Sequence, residues 1–182
     1  MVSAAAVDDH STLRVLGVDP GSRITGFGVV EIQNQNIRYI DCGHINIADQ
    51  PFALRLHRIY TQLSEVIRSH KPQVMAVEKI FMARNAQSAL SLGHARGAAI
   101  VAATNEDIEV VEYTALQVKQ AIVGNGKADK VQVQHMVRVL LGLRQAPARD
   151  AADALACGIC HIHAWDNAQR LRRGLGHSGN GL

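Results

Sequence analysis

Apolar and polar positions divide this chain into short strand-like stretches followed by longer ones of helical period. Residues 14–18 run apolar with Val and Leu, as suits a central strand buried on both faces. The turn Asp19-Pro20-Gly21 follows, and residues 24–32 come back as a second strand. A third strand is predicted over 36–47, after the polar turn Asn34-Gln35-Asn36, so the first three strands form an antiparallel meander. From Pro51 to His70 the period changes: Leu54, Ile59, Leu63, Val66 and Ile67 recur at helical spacing, and Lys71-Pro72 ends the run.

Residues 73–78 then read as a short strand entered from a crossover helix, hence parallel to its neighbour. An Ala- and Gly-rich helix is predicted over 85–104, a fifth strand over 108–111, and helices over 115–123 and 130–143. Pro147 precedes a last, alanine-crowded helix from Arg149 to about Trp165. The order βββαβαβααα describes one layered α/β domain with no internal repeat.

Four carboxylates change this picture, because each interrupts an apolar setting. Asp19 ends the first strand and Glu78 the fourth. Asp150 and Asp153 open the last helix, three residues apart and so on one helix face. Each has an ordinary reading: Asp19 as a turn residue, Glu78 as a solvated strand end, Asp150 as a helix cap. Asp153, one turn into an Ala and Leu face, resists that treatment. Should strands one and four be neighbours, all four would converge, and like charges at close range need a cation. Carboxylate oxygens select Mg2+ or Mn2+, and two such ions ~4 Å apart support phosphodiester hydrolysis by water.

Composition narrows the classes. One domain fits 182 residues of which 47% are hydrophobic. Nineteen basic against sixteen acidic residues, net +3, prove no partner but permit a basic face. The first dozen residues do not read as a signal peptide, no apolar run reaches ~18 residues, and three cysteines give no disulfide framework, so a cytoplasmic protein without membrane contact is expected. Cys157-Gly158-Ile159-Cys160-His161 matches the haem-attachment spacing, but inside an alanine-rich helix its cysteines read as small core residues. Gly126-Lys127 lacks the other positions of a phosphate loop.

Four segments together carry a specific resemblance: GVDPGSRITGFGVV, AVEKIFMARNAQSALSLGHARGAAIVAA, EYTALQVKQAIVGNGKADKVQVQHMV and RDAADALACGICHIH. In order and spacing, over roughly residues 13–165, the chain resembles the RuvC family of Holliday-junction resolvases. The resemblance implies a ribonuclease-H-like fold with a mixed five-stranded sheet flanked by helices, acting as a homodimer. It implies a nuclease domain over 13–166, with an N-terminal extension at 1–12 and a Gly-rich basic tail at 167–182, both expected to be disordered.

It further implies that Asp19, Glu78, Asp150 and Asp153 hold two Mg2+ ions, with Mn2+ as substitute, and that Phe81 enters the DNA junction. Lys119 and Lys130 correspond to family residues near the cut, and Arg84, Arg96 and Lys127 lie in segments flanking the acidic centre. The implied activity is paired nicking of four-way junctions, leaving 5′-phosphate and 3′-hydroxyl ends, in concert with the RuvA and RuvB branch-migration proteins. An actin-like ATPase domain and a catalytically inert junction binder are the rivals. The first is short of room for a two-domain nucleotide clamp, and cleavage in Mg2+ separates the second.

Overall fold

The computed structural model describes residues 12–79 and 86–176. Its elements run β1 (Leu13–Asp19), β2 (Ile24–Gln33), β3 (Asn36–Asn46), α1 (Phe52–His70), β4 (Val74–Glu78), α2 (Ala86–Asn105), β5 (Glu109–Tyr113), α3 (Ala115–Val123), α4 (Lys130–Leu140) and α5 (Arg149–Gly176). The five strands form one sheet in the order β3-β2-β1-β4-β5. β1, β2 and β3 pair antiparallel, and β4 and β5 add in parallel. The expected order of elements and the mixed five-stranded sheet are both present.

Local chemistry sets the boundaries. The β2–β3 turn places Asn34 and Gln35 at φ of 51° and 64°, the paired left-handed geometry of a two-residue hairpin loop. Lys71 closes α1 in the left-handed region, its N–H donating to the Ile67 carbonyl. Thr114 with Gln117, and Asp129 with Gln132, form reciprocal capping boxes that start α3 and α4.

Alternation along the strands divides the core in two. On one face Val15, Val30, Val74 and Ala76 pack with Val118, Val133, Val137, Leu155 and Ile159 from α3, α4 and α5. On the other, Leu16, Val18, Val29 and Met75 pack with Ile59 and Leu63 of α1 and Ala99 and Ala102 of α2. Cys157 and Cys160 are buried and free on the α5 side. No helix among the described residues is long and apolar enough to cross a membrane.

Two boundaries differ from expectation by three residues or more. α4 stops at Leu140 rather than Leu143, because Gly142 turns the chain at φ 61°. α5 continues past Trp165 to Gly176, so disorder from residue 167 is not what the structure has over 167–176. Ala168, Gln169, Leu171 and the arginines are good helix formers. An Asp166–Arg170 pair at 2.8 Å spans one turn, and Arg170 also reaches Gln35 of the β2–β3 turn. The residues expected to be disordered at 1–11 and 177–182 lie outside the described set.

Candidate active site

The parallel register pairs Val18 with Val77, so the residues that follow, Asp19 and Glu78, end adjacent strands at one edge of the sheet. Alternation also gives them a common face. Asp19 keeps the parity of Val15, and Glu78 that of Val74 and Ala76, all in the layer beneath α5.

α5 brings the other two carboxylates there because β1 and β2 carry glycines where the helix backbone touches them. A Cβ at Gly26, the register partner of Asp19, would run into the Asp150 carbonyl, and one at Gly17 into the Ala154 carbonyl. With Ala151, Ala152, Ala154 and Ala156 all buried, the helix backbone lies directly on β1 and β2. Its first turn is thereby held over the strand ends, with Asp150 and Asp153 on one side.

The charges interact as this placement requires. Burial pushes the Asp19 carboxyl up to about 7, helped by the negative charges of Asp153, Glu78 and, least, Asp150, while Lys130 opposes the shift. Burial raises Glu78 too, with Asp153 acting in the same sense and Lys130 and Lys119 against it. Lys130 Nζ donates to Asp153 Oδ2 at 3.0 Å; the lysine side chain is 57% exposed and the aspartate 18%, so the cation remains open to solvent while its partner does not. Burial alone would lower Lys130, but the hydrogen bond and charge of Asp153 outweigh it and leave the ammonium held above its ordinary value. Cys157, beneath this cluster, is held far above the usual thiol range by burial and then by Glu78 and Asp19, and so stays neutral.

The donor set suits a hard divalent cation, since it consists of carboxylates, and burial together with their mutual repulsion disfavours full ionisation of Asp19. Among the described residues, no three His, Cys, Asp or Glu side chains are drawn tightly enough to ligate one ion as they stand. Asp153 is turned to Lys130 instead.

The other sequence-derived residues divide. Lys119 and Lys130 both act on the acidic cluster. Lys127 is exposed in the loop before α4, its N–H bonded to Asn125 Oδ1, and is not among the charges that shift Asp19 or Glu78. Arg96 is paired with Glu112 of β5, away from the cluster. Phe81 and Arg84 lie outside the described residues. Sequence reasoning missed Arg149, whose positive charge bears on Lys130. The available signal was a cation at the first position of a helix, where the dipole disfavours it. A cleft of about 620 Å3 between α3 and α5, lined by Tyr113, Gln117, His163 and Arg170 among others, includes none of the four carboxylates.

Comparisons with known proteins show which family and fold the chain resembles. The family model described as "Crossover junction endodeoxyribonuclease RuvC" matches residues 15–161. The Marinobacter nauticus protein of that description is 52% identical over 159 residues, covering 87% of this chain and 91% of that one. Its Pseudomonas aeruginosa counterpart is 56% identical over 149 residues, covering 82% and 86%. Thermus thermophilus RuvC in complex with Holliday junction substrate superposes with a TM-score of 0.78 at 37% identity, over 82% of this chain and 93% of that one. The yeast mitochondrial Holliday junction resolvase Ydc2, with a TM-score of 0.67 and 12% identity over 91% of this chain and 84% of that one, shares the fold.

Proposed function

The chain belongs to the RuvC family of crossover junction endodeoxyribonucleases, and from that premise we propose that it is a Mg2+-dependent, homodimeric nuclease that resolves Holliday junctions by symmetric paired nicks. Asp19, Glu78, Asp150 and Asp153 are its metal-binding catalytic set. The observation that carries this assignment is convergence: two strand ends of matching parity and one helix start meet at a single edge, and burial with their like charges lifts Asp19 to about 7. Mg2+ held there, two ions with Mn2+ as the alternative, would lower the pKa of an attacking water and steady the departing 3′ oxygen.

The protein's own residues do the rest. Asp19, whose charge interacts with all three other carboxylates, would hold both ions, and Glu78, Asp150 and Asp153 would complete the cage. Lys130, exposed yet anchored on Asp153, is placed to meet the negative phosphate, and Lys119 stands by Glu78 for the same purpose. Lys127 and Arg84 contribute to DNA backbone binding, and Phe81 enters the open junction centre; for Phe81 and Arg84 the support is the family resemblance alone.

A symmetric four-way substrate calls for two sites, which a two-fold dimer supplies. The small-residue outer surface of α2, with Gly93 and Gly97 open to their surroundings, supports self-association there. Action in the cytoplasm with RuvA and RuvB, and a nuclease domain spanning 13–166, complete the reading on the same resemblance.

The test is cleavage of a synthetic immobile four-way junction beside linear duplex of the same sequence, with and without Mg2+. Paired nicks in the junction alone, only with the metal, are expected. Equal cutting of duplex, or cutting without a divalent ion, would overturn the reading.

A further inference from the structure

We propose that Arg149 is a positioning residue for the scissile strand, its guanidinium engaging a DNA backbone phosphate at the mouth of the carboxylate cluster. The inference rests on the nuclease reading above and adds a residue to it. Arg149 is the first residue of α5, exposed, and four residues before Asp153, which puts the two on one helix face a turn apart. Asp153 holds Lys130, so two cations and one carboxylate share this rim, and the field of Arg149 reaches the Lys130 ammonium.

The placement carries a local cost that the neighbouring carboxylates only partly offset. A cation at a helix N-terminus opposes the dipole, and beside Lys130 it meets like charge. Arg149 makes no ion pair among the described residues, as is also true of Arg23, Arg58 and Arg138; what sets it apart is its place one helix turn from Asp153, which holds Lys130. Both local penalties are relieved by one kind of ligand, an anion bridging Arg149 and Lys130. In a DNA nuclease the anion at this rim is a phosphodiester, and a guanidinium can grip two of its oxygens where an ammonium offers a point charge.

The experiment uses the full-length protein and its Arg149→Ala and Arg149→Lys variants, with a synthetic four-way junction as probe. Two quantities are read: the salt dependence of junction binding in Ca2+, and the single-turnover cleavage rate at saturating enzyme in Mg2+. Arg149→Ala is expected to make the slope of log K against log salt shallower by about 0.9, the signature of one lost phosphate contact. Its saturated rate should fall about tenfold, as for a misplaced reacting group. Arg149→Lys should recover the slope but only part of the rate.

An unchanged slope in Arg149→Ala overturns the proposal, whether or not the rate falls, since a structural role would alter the rate without the phosphate count. An unchanged rate with a shallower slope also overturns it, reducing Arg149 to general DNA attraction. Failure of the wild-type protein to cut junctions would sink the nuclease reading instead, and is seen before either variant is made.

Discussion

The two faces of the sheet are packed on opposite plans. Beneath α5, glycines in β1 and β2 bring helix backbone onto strand backbone, and the contact ends in four carboxylates at one edge. On the α1 and α2 face, large side chains of α1 and of the strands meet the alanines of α2, and the outer surface of the two helices keeps an apolar groove of about 470 Å3 lined by Leu56, Tyr60, His94, Gly97 and Val101. Val101 is 55% exposed there. One face thus places charge, and the other leaves apolar surface exposed.

The largest effect should come from removing the charge that the first face places. Asp19→Asn is expected to reduce junction cleavage by about a thousandfold or more, equivalent to roughly 4 kcal/mol of barrier. Junction binding in matched salt should survive, because the change removes repulsion toward phosphate. Retained cleavage would separate the carboxylate edge from the chemistry and end the contrast between the faces.

Stability should show the same charge with opposite sign. The Asp19 carboxyl stands near 7 when folded and near 3.8 when its surroundings are lost, so between those values the folded state holds a proton that the unfolded state has released. Stability therefore falls as pH rises from about 4 to about 7 and levels off above, by up to roughly 4 kcal/mol from this group. Glu78, also raised, adds in the same direction; His161, lowered by burial, opposes it below 6.5. Urea titrations across this range should give a declining curve that Asp19→Asn flattens. A wild-type profile already flat would mean that burial and the neighbouring charges do not raise Asp19 as placed.

The close contact itself can be tested by one methyl group. Gly17→Ala puts a Cβ into the Ala154 carbonyl, with backbone on both sides and nothing flexible to yield. A loss of about 3 kcal/mol is expected, lowering the thermal midpoint by roughly 10 °C in a domain of this size. A smaller loss would show that α5 can lift from the sheet, and cleavage should then suffer more than stability.

How much of this was legible in the chain depends on distance. Element order was readable because strand alternation and helical period are local, and the four carboxylates stood out because each broke an apolar run. That Asp19 and Glu78 share a face required the β1–β4 pairing, which no local pattern states. Arg96 lies in a segment that follows Glu78 in the chain, yet its ion pair is with Glu112, sixteen residues on, which no local pattern states. The continuation of α5 was hidden by reading Gly174 and Gly176 as the character of the whole tail, when residues 168–173 favour helix. Lys130 was named from family likeness; its partner Asp153, twenty-three residues away, is a fact of the fold.

The smallest effect is the one that best distinguishes the two faces. Gly97 lies in α2, and a Cβ added there would have nothing within 4 Å, so Gly97→Ala meets no clash within the chain. The substitution should stabilise the isolated fold by up to about 1 kcal/mol, since alanine is the better helix former. If a second copy covers the groove, the added methyl stands in the contact, and the dimer dissociation constant should rise several-fold. Sedimentation over a concentration series, beside thermal melts at the dilute end, reads the two signs separately. A tighter fold with an unaltered dimer would move self-association away from α2, and an unaltered fold would mean that Gly97 is confined by more than its own chain.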